Sequence, residues 1–108
     1  MGKTQSRAKF FHDISLLTIT AHANQIDLLP HCFHRLQTQQ DVLYNDGKTK
    51  TKHSKHQDWL AIDFVVIKNG KAVWIIDGDY EWLGRLWEKM GHTWGGNWSF
   101  KDGCHFED

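Results

Sequence analysis

The sequence predicts a small α+β domain, with helices packed on a short, mainly antiparallel sheet. Three observations carry this. Apolar residues recur at helical spacing in two stretches, Ser6 to about Ala23 and Tyr80 to Met90. Between them, Asn69-Gly70 separates two apolar, β-rich runs, the strongest short-range signal of a hairpin. The other extended segments are short and bounded by Gly, Pro or Asp.

In the first helix Phe10, Ile14, Leu17 and Ala21 form one apolar face, with His12 and His22 at or near the surface. Ile26 to Phe33 reads as a strand that Pro30 demotes to an edge or bulged position. The spacing of His31, Cys32 and His34 fits no zinc-finger or ribbon pattern. Thr38 to about Asp46 is a short helix stopped by Gly47. A polar loop with four lysines follows, up to Lys55. Asp63–Lys68 and Lys71–Ile76 form the hairpin, Asp79 caps the next helix, and Leu83, Leu86, Trp87 and Met90 are its core face before Gly91.

With 108 residues, one domain over 1–108 is expected. A chain of this size buries somewhat over ~60% of its unfolded surface, enough for a modest core. A composition of 40% hydrophobic and 24% charged residues is that of a globular protein. Zero net charge leaves no electrostatic footprint for nucleic acid. Eight histidines make the charge rise as pH falls toward ~6.5. No stretch approaches the ~20 apolar residues of a membrane span, and no signal peptide is expected. Met1 to Ser6 matches the myristoylation pattern, which is short and set aside. A monomer is expected. Cys32 and Cys104 can form at most one disulfide, and an extended segment turns Cys104 away from the face of His105, as a packed thiol.

The chemistry centres on Ser54 to Val66. Asp63 lies within an apolar strand, where a carboxylate needs compensation by a backbone amide, an Arg or a metal ion. His56, in the polar run before it, is either a solvated loop residue or a second metal ligand. His105 sits near the other end, flanked by aromatic and apolar residues, three positions after Asp102. His56, Asp63 and His105 as zinc ligands leave a fourth position open for water, which is the catalytic arrangement. Asp102 is then the nearby carboxylate that takes the water's proton. His53 lacks the following Glu of the His-Glu-x-x-His helix and is read as a loop residue. Trp94 and Trp98, in a Gly-rich segment, either anchor a tight turn or wall a groove that stacks on glycan or peptide.

Ser54-x-His56, Ala61-x-Asp63 and Asp102-x-x-His105-Phe106-Glu107, in this order, resemble the D-alanyl-D-alanine carboxypeptidase and L-alanyl-D-glutamate endopeptidase family. This family shares a clan with the vancomycin-resistance D,D-peptidases and the hedgehog signalling domain. Trp94-Gly95-Gly96 resembles a segment common in its phage branch. The resemblance implies a hedgehog/D,D-peptidase-like fold and a Zn2+-dependent peptidoglycan hydrolase acting on the stem peptide. L-alanyl-D-glutamate endopeptidase is the first choice. D-alanyl-D-alanine carboxypeptidase, or a non-catalytic zinc-bearing wall-binding module, is the alternative. It also implies an oxyanion-stabilising role for Arg35, followed by Gln40 in a Gln-rich helix start, and an orienting role for Ser54. An endolysin made in the cytoplasm and released through a phage holin is the corresponding setting. Trp59 stands where many relatives carry Gly.

Overall fold

The computed structural model describes residues 2–108; Met1, the first residue of the myristoylation pattern, lies outside the described residues. The chain runs α1 (Lys3–Ala23), β1 (Asp27–Cys32), α2 (Gln37–Asn45), a 3-10 turn (Lys55–Asp58), β2 (Ala61–Lys68), β3 (Lys71–Val73), α3 (Gly78–Lys89), β4 (Thr93–Trp94), a second 3-10 turn (Gly95–Asn97) and β5 (His105–Glu107). The five strands form one antiparallel sheet in the order β1-β2-β5-β4, with β3 also beside β2. The α+β class is as expected.

Strand β2 is central. It has β1 along one edge and β5 and β3 along the other, which is why its sequence is a nearly continuous apolar run. Helix α1 starts earlier than Ser6 but buries the expected face of Phe10, Ile14, Leu17 and Ala21. Phe10 meets Trp87 of α3 edge-on at 5.7 Å, and both side chains are fully buried. Asn69 and Gly70 have φ of 53° and 72°, the left-handed pair that a type I′ turn requires.

Two expectations are corrected. The second hairpin strand ends at Val73, not Ile76. The Tyr80 hydroxyl is inserted between the strands: it accepts from Val66 N at 3.0 Å and donates to the Val73 carbonyl, ending the direct ladder there. The cap of α3 is Asp77 rather than Asp79, its Oδ1 accepting from the backbone of Asp79 and Tyr80 at 3.1 and 3.2 Å.

One buried polar network was not anticipated. Asp13, on the core face of α1, is 5% exposed. It accepts from Lys9 at 2.7 Å and lies 2.7 Å from His92 Nε2 and 3.0 Å from His12 Nδ1. The His92 ring stacks on Trp87 at 4.0 Å. Burial opposes ionisation of Asp13, but the hydrogen bonds from Lys9, His92 and His12 outweigh it and hold the carboxyl well below the usual carboxylate range. A depressed carboxylate contributes stability that is present above its unfolded pKa of about 3.9 and is lost as pH falls through the folded value. Asp13→Asn is therefore expected to cost about 1–3 kcal/mol at pH 7 and to flatten the acid limb below about pH 4. Urea unfolding of both proteins across pH checks this. Parallel acid limbs would remove Asp13 as the source.

Candidate metal centre and active site

The site is built on β2, β5 and the turn before β2. Ser54 Oγ accepts from His56 N at 3.2 Å and caps the 3-10 turn that carries His56. Ser54 thus orients His56 through its backbone rather than its ring. The turn ends at Trp59 with φ 60°, a left-handed conformation that favours glycine. Trp59 is held there by stacking on His34 at 4.1 Å and by an edge contact with Phe33 at 5.4 Å. Asp63 and His105 are ladder partners on β2 and β5, so their side chains share a face.

His56 and His105 converge on one oxygen. Asp63 Oδ1 lies 3.2 Å from His56 Nε2 and 3.0 Å from His105 Nδ1. The opposite ring nitrogens are both engaged. His56 Nδ1 meets the Phe33 carbonyl at 3.3 Å, and His105 Nε2 meets Glu107 Oε1 at 2.9 Å. A carbonyl and a carboxylate only accept, so these nitrogens carry the protons. In the neutral rings, the lone pairs of His56 Nε2 and His105 Nδ1 then face Asp63. Such a convergence of acceptors demands a cation. Tetrahedral ligands at 2.0–2.1 Å from zinc stand about 3.3 Å apart, close to the two His–Asp separations here. The donor set fits zinc, with His56, Asp63 and His105 as the residues that would hold it.

In the metal-free protein a proton serves instead. Burial works against the His105 cation, but hydrogen bonds to Asp63 and Glu107 outweigh it and push its pKa up to about 9. Burial likewise opposes ionisation of Asp63, and the hydrogen bonds of His105 and His56 overcome it, holding the carboxyl below its usual range. Asp102 behaves oppositely: burial first, then the negative charge of Asp63, push its pKa up.

Asp102 is placed by the Gly-rich segment. Its backbone N–H donates to Gly95 O at 2.9 Å, and a side chain on Gly95 would sit 2.5 Å from Asp102 O. Trp94 is a correction to the groove-wall expectation. It is 2% exposed, its indole lies over Gly84 and Gly96, and its Nε1 donates to Gly103 O at 2.9 Å. It is a buried anchor. Trp98 faces the site, with its ring 5.0 Å from that of His105.

Arg35 is tied in place. Its guanidinium donates to Gln40 Oε1 at 3.0 Å, and the fully buried Gln40 donates to Thr51 O at 2.7 Å. A cleft of about 400 Å³ brings Arg35, His56, Asp63, Trp98, Asp102 and His105 together under the lysine-rich loop. His53 pairs with Asp58 at 2.9 Å on the rim, outside the centre.

Glu107 closes the motif Asp102-x-x-His105-Phe106-Glu107, but no role was assigned to it from sequence. Its place two residues after His105 on a strand, hence on the same face, was the available signal. Its carboxyl also pairs with Lys55 at 3.2 Å. Partners of this kind orient ligand histidines, so Glu107→Ala is expected to weaken metal binding by about 10–100-fold while the fold persists. Titration against a competing chelator reads this, and an unchanged affinity would leave His105 oriented by Asp63 alone.

Comparison with known proteins agrees with the geometry. Residues 47–108 match a family model described as D-alanyl-D-alanine carboxypeptidase. Among solved structures, the chain is similar to the Serratia marcescens L-Ala D-Glu endopeptidase ChiX, with a TM-score of 0.66 and 27% identity. The match covers 76% of this chain and 66% of that one, so this chain spans just under two thirds of that endopeptidase's length. A search of curated proteins gave no significant match. The family match takes in His56, Asp63, Asp102 and His105 and more than half of the sequence, and this chain belongs to the D-alanyl-D-alanine carboxypeptidase family.

Proposed function

We propose that this protein is a zinc-dependent peptidase that hydrolyses a peptide bond in the peptidoglycan stem peptide, with L-Ala–D-Glu as the bond cut. The observation that carries this is the convergence of His56 and His105 on Asp63 beside a half-buried second carboxylate, Asp102, in one cleft with Arg35. The similarity to ChiX favours the L-Ala–D-Glu bond, and the description of the family favours D-Ala–D-Ala as the second choice.

Bound zinc would supply Lewis acidity toward the scissile carbonyl and a water of lowered pKa. The residues do the rest. Asp102 accepts the water proton as its oxygen attacks the carbonyl carbon. Its raised pKa brings it closer to the operating pH, as suits a proton carrier. It then hands the proton to the leaving amine nitrogen as the C–N bond breaks. Arg35, held by Gln40, offers its guanidinium to the developing oxyanion. Trp98 offers an aromatic wall to the stem peptide.

Mass spectrometry of peptidoglycan digested with zinc-loaded protein tests the proposal, with a chelator-treated control. Chelator-sensitive release of peptides that begin with D-Glu is expected. Loss of a single terminal D-Ala would move the assignment to a carboxypeptidase. Intact peptidoglycan with zinc bound would favour a non-catalytic wall-binding module. Clearing of a suspension of sacculi by the same protein tests the lytic role of an endolysin.

A further inference from the structure

Cys32 stands beside this centre without a role so far. Along β1 and β2 the pairing runs Asp27 with Ile67 to Pro30 with Phe64, and then shifts so that Cys32 faces Asp63. In an unbroken register His31 would have faced Asp63. The bulge after Pro30 gives that place to the cysteine and leaves His31 exposed, edge-on to Trp74 at 5.4 Å.

The consequence is a second donor set. Donor atoms of Cys32, His56 and Asp63 all lie within 4.8 Å of one another, as do those of Asp63, Asp102 and His105. Asp63 is common to both. The Cys32 sulfur also accepts from Arg35 Nη2 at 3.7 Å and donates to the His34 carbonyl at 3.8 Å. Both cysteines are free, so the sulfur is not committed to a disulfide. Cys104 is a natural control, because its sulfur turns to the Tyr80 hydroxyl at 3.6 Å.

We propose that Cys32 is a fourth metal donor, its sulfur binding as thiolate on the β1 side of the His56–Asp63 pair in the resting protein. This rests on the metal centre described above. Thiolate is a soft, strong donor that suits zinc. Coordination releases the thiol proton to solvent, and no redox change is involved. The resting site then has the Cys32 sulfur beside His56 and Asp63, the two residues whose donor atoms lie within 4.8 Å of it. The position that a water takes in catalysis is filled by sulfur, which must leave the metal before turnover.

Cobalt(II) bound to the full chain in place of zinc reports the ligands directly. Wild type is expected to show a sulfur-to-cobalt charge-transfer band in the near ultraviolet. Cys32→Ser should lose that band while still binding cobalt, and Cys104→Ser should keep it. Thiol titration gives a measurement that needs no variant: bound zinc should protect one of the two cysteines from a thiol reagent. Stoichiometric cobalt without a sulfur band, or a band that survives Cys32→Ser, overturns the proposal and leaves the His–Asp–His centre standing. Failure of wild type to bind cobalt or zinc at all overturns the centre itself.

Discussion

Asp63→Ala is expected to reduce bound zinc to background and to abolish hydrolysis with it. Asp63 Oδ1 is the atom on which both histidines converge, at 3.2 and 3.0 Å. Catalytic zinc sites use three protein ligands, and of His56, Asp63 and His105 the variant keeps only the two histidines, Cys32 being the donor that must leave for turnover. The loss should exceed the about 10–100-fold that follows from removing an outer partner such as Glu107. The backbone pairing of Asp63 with His105 does not depend on the side chain, so circular dichroism should remain native. In the metal-free variant His105 loses the larger of its two hydrogen-bond partners, and its pKa should fall from about 9 toward the ordinary range. Metal analysis of the purified variant decides the matter. One equivalent of retained zinc would remove Asp63 from the ligand set.

Asp102→Asn is expected to keep zinc and lose about 10²–10⁴-fold in kcat. The amide is of nearly the same size but cannot take a proton from water. The backbone that places it, including the 2.9 Å bond from Asp102 N to Gly95 O, is untouched. The control in this experiment is metal content. A carboxylate oxygen of Asp102 lies within 4.8 Å of an Asp63 oxygen and a His105 ring nitrogen, so a role as ligand is geometrically open to it. Zinc and activity falling together would assign it that role; activity falling alone assigns it the proton transfer.

The parts legible in advance are those governed by local rules. The face of α1, the Asn69-Gly70 turn and the core side of α3 follow from periodicity and turn chemistry within a dozen residues. His56, Asp63, Asp102 and His105 were legible through the resemblance of their motifs, and the structure brings these four into one cleft. Misreadings occurred where a distant residue decides. The burial of Trp94 depends on slots left by Gly84 and Gly96, and Gly84 belongs to another element. The end of β3 depends on a hydroxyl from α3. Asp13 lies on the buried face of α1, but neither its burial nor its partner His92, 79 positions later, was read from periodicity.

The sequence by itself determined the α+β class, the main helices, the hairpin and the candidate ligands, because each is written in short-range pattern or motif. Only the tertiary structure decided which side chains meet. The one-residue bulge after Pro30 sets Cys32, rather than His31, against Asp63 on one side, and the pairing of β2 with β5 sets His105 against it on the other. The physical reason is that register is a property of two strands at once: a slip of one residue exchanges every facing side chain, and neither strand alone encodes it.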